Sequence, residues 1–165
     1  MIFVCVGSRG YQFNRLLREM DSLIESGKIT EKVFAQIGQS DYLPKFYPYK
    51  RYLDMDTFKK YQQESELIIS HGGTGALIGA LKLEKQVIAV PRLMQYGEHI
   101  DDHQLQVSGA LEEAGYLICV RDICELGDAI CRMKKYPVQK KYSRPSYVIE
   151  LIDEFIQSEL NEGQK

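Results

Sequence analysis

The chain lacks most of the markers that assign a sequence at a glance. Its four cysteines, Cys5, Cys119, Cys124 and Cys131, form no CxxC pair and Cys5 falls in an apolar run, so reduced thiols are expected rather than a disulfide framework. No apolar run has membrane-spanning length, and the first residues enter a strand pattern without a basic segment or cleavage site, so neither signal peptide nor transmembrane helix is expected. A formal net charge of -2 gives no global reason to expect nucleic acid. Internal repeats, low-complexity tracts and a HExxH metal motif are also missing. The 165 residues suit one domain, residues 1–165, and are short for a complete two-domain enzyme.

What is present is an alternation of strand and helix patterns in an otherwise ordinary globular composition. Residues 2–6 read as a buried strand broken by Gly7-Ser8-Arg9-Gly10, after which Phe13, Leu16, Leu17, Met20, Leu23 and Ile24 repeat at helical spacing until Gly27. Residues 32–38 read as a second strand, and residues 46–53 as a third, in which Pro48 favours a sheet edge. Asp54 or Asp56 is placed to cap a short helix ending at Gln63. A further strand falls at residues 116–120, followed by a helix over residues 124–134. Ordinary packing accounts for most aromatics between Tyr42 and Tyr61; alternating Tyr47, Tyr49 and Tyr52 make a possible partner surface.

The chemistry concentrates in residues 67–104. Residues 67–70 form a short β-branched run that enters Gly72-Gly73-Thr74-Gly75. Thr74 is a good N-cap type, and Ala76, Leu77, Ala80, Leu81 and Leu83 then supply a helical face. Strand, glycine loop and helix N-terminus together make an anion site, because unpaired N–H groups of the first turn carry about half a positive charge toward a close-lying ligand. Residues 87–90 are a second β-branched strand stopped by Pro91. A polar loop over residues 92–98 leads to a helix expected to open with His99, Asp101, Asp102, His103 and Gln104. Two strands thus end side by side in polar loops, the place where open α/β sheets bind ligands.

The tail is split. Arg132, Lys134, Lys135, Lys140, Lys141 and Arg144 occur without an acid among residues 132–144, which suits either plain solvation or an anionic membrane surface. Residues 146–160 carry Val148, Ile149, Leu151, Ile152, Phe155, Ile156 and Leu160 at the spacing of an amphipathic C-terminal helix.

GGTGALIGALKLEKQVIAVPR and GEHIDDHQ resemble the donor-binding, C-terminal domain of family 28 glycosyltransferases. VCVGSRGYQFNRLL, FAQIGQSDYLP, LIISHGGTGALIGAL and VPRLMQYGEHIDDHQL resemble the small catalytic subunits of two-subunit transferases that build dolichol-linked chitobiose or capsular and exopolysaccharide repeats. The resemblance implies a Rossmann-like, doubly wound, mostly parallel sheet of about six strands, the donor half of a GT-B fold. It also implies an inverting hexosyltransferase with a UDP-sugar donor, galactose or glucose, no cofactor and no metal. The acceptor would be a polyprenyl-diphosphate saccharide held by a membrane-anchored partner subunit, which would keep this chain at the inner face of the membrane.

Carried onto this sequence, Gly7, Ser8, Arg9 and Gly10 match the first glycine loop and Leu53 the uracil contact. His71, Gly72, Gly73, Thr74 and Gly75 match the diphosphate loop, and His103 and Gln104 polar positions near the donor sugar. His99 lies in the same stretch, and Arg92 is a candidate cation for the leaving diphosphate. The base is not evident; His71 and His103 are the candidates. Gly79 stands where many relatives have a glutamate for the ribose hydroxyls, although it can equally serve close helix packing.

Other classes have weaker support. A dinucleotide oxidoreductase would need its glycine loop in the first βα unit and an acid at the end of the next strand. A zinc hydrolase would use His99 and His103 on one helix face with His71. A non-catalytic subunit that binds donor or stimulates a partner is the serious alternative.

Overall fold

The computed structural model describes residues 1–142, so the expected helix over residues 146–160 lies outside the described residues. Six strands, β1 (Ile2–Cys5), β2 (Val33–Gln36), β3 (Tyr49–Lys50), β4 (Leu67–Ser70), β5 (Gln86–Ala89) and β6 (Ile118–Cys119), form one sheet in the order β3-β2-β1-β4-β5-β6. Every pairing is parallel, with Cys5 opposite Gln36 and Ser70, and Ser70 opposite Ala89. The doubly wound architecture is therefore present. The strand order reverses between β1 and β4, which opens a crevice at their carboxyl ends.

Helices α1 (Asn14–Glu25), α2 (Met55–Glu64), α3 (Thr74–Lys82), α4 (His103–Glu113) and α5 (Leu126–Lys135) cover the two faces. The two-residue period of β1 sends alternate side chains to opposite layers. Ile2, Val4 and Val6 pack with Leu16, Leu17, Met20, Ile130 and Met133 from α1 and α5. Phe3 and Cys5 pack with Leu77, Ala80, Val107 and Leu111 from α3 and α4. Covering both faces explains why these strands read as continuous apolar runs.

Several boundaries shift for identifiable reasons. The third strand pairs only at Tyr49–Lys50, an edge position beside Pro48. Asp54 caps α2, accepting from Thr57 N at 2.8 Å. Thr74 is the first helical residue, not the cap; Gly73 occupies the cap position and supplies no side-chain bond. The helix expected from His99 begins at His103, because the carboxylates before it are used elsewhere: Asp102 accepts from Met94 N, and Asp101 from the His99 ring and His103 N. The tyrosine surface dissolves as well. Tyr47 is buried with its hydroxyl donating to Leu17 O, Tyr49 packs against the core, and Tyr52 alone stands half-exposed. Phe58 and Tyr61 pack on Phe3.

Among the described residues, several side chains of the basic tail make local contacts. Arg132, Lys134 and Lys135 sit in the last turn of α5, where the helix dipole favours cations. Lys134 pairs with Glu31, Lys141 with Glu84, and Lys140 donates to Ala114 O while lying over the Tyr116 ring.

Candidate functional site

A cleft of about 650 Å³ lies at the reversal point, walled by the loops that follow β1, β3, β4 and β5. Its floor is the turn from β4 into α3. Gly72 has φ of +85°, and a Cβ there would meet Ser108 and Gln104, so only glycine fits comfortably. Gly73, Thr74, Gly75 and Ala76 line the cleft where α3 begins with no capping side chain and no acid in its first turn. Its leading N–H groups therefore face the cavity and suit an anion.

His71 is the hinge of the arrangement. Its ring lies between the two glycine loops: a Cβ built on Gly7, whose φ is +80°, or on Gly73 would come within 2.4 Å of Nε2. Glycine at both positions makes room for the imidazole. Nδ1 lies 3.1 Å from Cys5 O, an acceptor only, so Nδ1 carries the hydrogen and Nε2 the lone pair of the neutral ring. Burial, reinforced by the Arg92 guanidinium, pushes His71 down to about 4.

The remaining walls collect polar groups from distant parts of the chain. Arg9 and Ser8 are exposed on the rim. Gln104 has its Oε1 held by the Arg92 amide, which turns the Nε2 donors outward as the available end. His99 is nine-tenths buried, its Nδ1 2.9 Å from Asp101 Oδ1 and its ring 5.5 Å from Tyr11. Accepting from His103 N, and the neighbouring His99 ring, hold the Asp101 carboxyl below its usual range. Leu53 lies in the opposite wall with Tyr52, Met55 and Phe58.

The structure gathers every expected site residue into this cleft except two. Gly10 is exposed and does not line it. Arg92 is fully buried: Nη2 donates to Tyr11 O, the guanidinium lies 5.6 Å from the Phe13 ring centre, and Nε and Nη1 have no hydrogen-bond partner among the described residues. It acts on the site through its field and not by contact. The rim cation is Arg9. Gln36, Tyr52, Met55, Phe58, Ala76 and Asp101 line the cleft without having been expected there. Their signal was topological: Gln36 ends β2 beside Cys5, which only the sheet order reveals.

Gly79 faces α2, where an added Cβ would meet the Gln62 side-chain amide at 3.4 Å, an ordinary contact distance. His99 precedes α4, so it does not share a helix face with His103. Among the described residues no group of three or more His, Cys, Asp or Glu side chains is arranged to hold a metal ion, and no helix is long and apolar enough to cross a membrane.

An all-parallel doubly wound sheet with an uncapped helix terminus at its reversal point places this chain in the Rossmann-like class of folds. The sequence profile described as "Glycosyltransferase family 28 C-terminal domain" matches residues 1–151, and the chain belongs to that family. Its relatives include the UDP-N-acetylglucosamine transferase subunit ALG13 of Candida glabrata, 31% identical over 70 residues covering 42% of this chain and 33% of the relative. The protein of the same description from Eremothecium gossypii is 34% identical over 67 residues, 40% of this chain and 31% of the relative. The match thus spans about a third of those relatives' length. Among solved structures, the solution structure of ALG13 superposes with a TM-score of 0.59 at 16% identity, covering 87% of this chain and 89% of that one. MurG of Acinetobacter baumannii gives 0.57 at 14% identity, covering 79% and 40%. These likenesses establish a shared fold with glycosyltransferases of GT-B type.

Proposed function

We propose that the cleft binds a UDP-sugar and that the chain is the donor-binding, catalytic subunit of a bipartite inverting glycosyltransferase. The observation that carries this reading is the uncapped N-terminus of α3 on the cleft floor, opposite Gly7 and beside Arg9. A diphosphate set there meets backbone N–H groups and a cation where leaving-group charge develops, without needing a metal. The uracil then lies toward Leu53, with Tyr52, Met55 and Phe58 forming its apolar surroundings. The sugar points toward His99, His103 and Gln104.

The acceptor is supplied by a second, membrane-anchored chain that presents a polyprenyl-diphosphate saccharide to the carboxyl edge of the sheet. Resemblance to polysaccharide subunits supports galactose or glucose as the sugar; the names of the matched relatives support N-acetylglucosamine. One observation favours the reading of a non-catalytic donor-binding or stimulatory subunit. Asp101, the sole carboxylate among the cleft-lining residues, is already engaged by His99 and His103 N and is poorly placed to be the base.

Calorimetric titration with UDP, UDP-glucose, UDP-galactose, UDP-N-acetylglucosamine and NAD tests the donor reading. Binding of one or more uridine nucleotides without NAD is expected, and NAD binding alone overturns it. Transfer to a lipid-diphosphate saccharide, assayed with and without a membrane-anchored partner, separates catalytic subunit from stimulator. A Gly73→Val substitution is expected to abolish UDP binding; because its Cβ also meets the His71 ring, it displaces that ring as well as narrowing the loop.

A further inference from the structure

The environment of His71 contains a mismatch that the proposed ligand must resolve. Cys5 O accepts from the His71 backbone N–H and lies 3.1 Å from Nδ1, so the ring is anchored through Nδ1–H. Nε2 is then a bare lone pair between Gly7 and Gly73, with no hydrogen-bond partner among the described residues. A lone pair repels a phosphate oxygen. Because a carbonyl cannot donate, the ring cannot exchange tautomers without breaking its anchor, and Nε2 becomes a donor only when the ring gains a proton.

The groups facing the ring explain why the free protein leaves it neutral. Arg9 from the loop after β1, and Arg92 and His99 from the segment between β5 and α4, all disfavour a further positive charge, and burial does so most strongly. Against them, Cys5 of β1 contributes its carbonyl, which favours the charged ring by more than either His99 or Arg9 opposes it but by less than burial and Arg92 do. His103 and Asp101 line the same cleft, and the Asp101 carboxylate is committed to His99 and the His103 amide. A diphosphate on the α3 terminus reverses this balance, supplying anionic oxygens beside Nε2 and offsetting the arginines.

We infer that binding of a nucleotide-sugar diphosphate in this cleft is coupled to uptake of one proton from solvent by His71 at Nε2, which turns that nitrogen from acceptor into donor toward a phosphate oxygen. The inference rests on the donor-site reading above. The balance is simple: neutral His71, a UDP-sugar and one proton become a complex that holds an imidazolium against the diphosphate. No covalent bond forms or breaks. As a consequence His71 helps neutralise the leaving group and is not free to deprotonate the acceptor hydroxyl, which leaves His103 or the partner chain to supply the base.

The test is calorimetry with a UDP-sugar, whose phosphates carry no titrating proton near neutrality, in buffers of differing ionisation enthalpy at pH 6.5. We expect uptake approaching one proton per site, and affinity that tightens by up to about tenfold for each pH unit lowered between pH 8 and 6. Both signatures should vanish in His71→Asn. Long-range proton–nitrogen NMR of the free wild-type protein should show Nε2 unprotonated across that range, a readout that needs neither ligand nor variant. Clear binding with no proton uptake overturns the inference while leaving the donor site intact; so does uptake that persists in His71→Asn, or an Nε2–H tautomer in the free protein. A wild-type chain that gives neither binding heat nor a thermal shift with any UDP-sugar overturns the donor site and this inference together.

Discussion

Two buried polar centres in this domain are built on opposite plans. Asp21, on α1, is buried and its carboxylate takes three donors: the Tyr42 hydroxyl at 2.6 Å, Lys45 N at 2.8 Å and Phe46 N at 3.1 Å. That network folds residues 42–46 onto the helix and leaves nothing unmet. His71, also buried, makes one ring hydrogen bond and turns its other nitrogen into a cleft, near Arg92 with two unpartnered nitrogens and Gln36 with an unpartnered Oε1. Buried polar groups are normally satisfied, and an orphan calls for an explanation. The closed centre is explained by stability. The open centre is where we propose the diphosphate binds, with His71 Nε2 turned toward the cleft.

The sharpest way to break the contrast is Asp21→Ala. It strands a hydroxyl and two backbone donors, so a loss of about 3 kcal/mol in denaturant unfolding is expected, with UDP affinity unchanged in the folded fraction. A matching loss of affinity would mean that the closed centre also serves the cleft.

The second expectation concerns pH. An unfolded imidazole titrates near about 6.5, whereas folded His71 stays neutral down to about 4. Above pH 6.5 both states are neutral and nothing is lost. As pH falls through that window the unfolded chain takes the proton that the folded chain refuses, so stability drops by roughly 3 kcal/mol between pH 6.5 and 4. Urea melts of wild type and His71→Asn across this range should differ by that amount, and parallel curves would show that His71 titrates normally.

His71→Ala should cost about 1 to 3 kcal/mol of UDP-sugar affinity, with a smaller effect on folding than Asp21→Ala. A protein that loses stability but keeps its affinity would place His71 in the closed class. The smallest effect is expected from Gly75→Ala. No atom lies within 4 Å of the added Cβ, so the melting temperature should hold, while the methyl on the exposed α3 terminus weakens UDP affinity by less than about 1 kcal/mol. Unchanged affinity there would move the diphosphate away from that edge of the loop.

Legibility followed the same division. The alternation of strand and helix, the edge position beside Pro48, a cap at Asp54 or Asp56 and the glycine loops with His71 were readable, because each depends on local spacing and on residues that dictate their own backbone. Arg92 was not. Two residues beyond β5 it looks like a loop cation for a ligand, and only the approach of Tyr11 and Phe13 from the first βα unit takes it into the interior. The start of α4 was misread for a similar reason: which donor an aspartate serves depends on what lies across the loop, and Met94 N captured Asp102.

By itself, then, the sequence determined the order of elements, the two faces of β1 and the glycine turn before α3, since period and φ preference act within a few residues, whereas the structure put Thr74 inside α3 and left the helix uncapped. The tertiary structure decided what those elements are for. Placing β4 beside β1 brings both Gly7 and Gly73 against one imidazole and hands its Nδ1 to Cys5 O. Residues 66 positions apart thereby set the tautomer of His71. No local pattern encodes that hydrogen bond, because it exists only once parallel pairing has aligned the ends of the two strands.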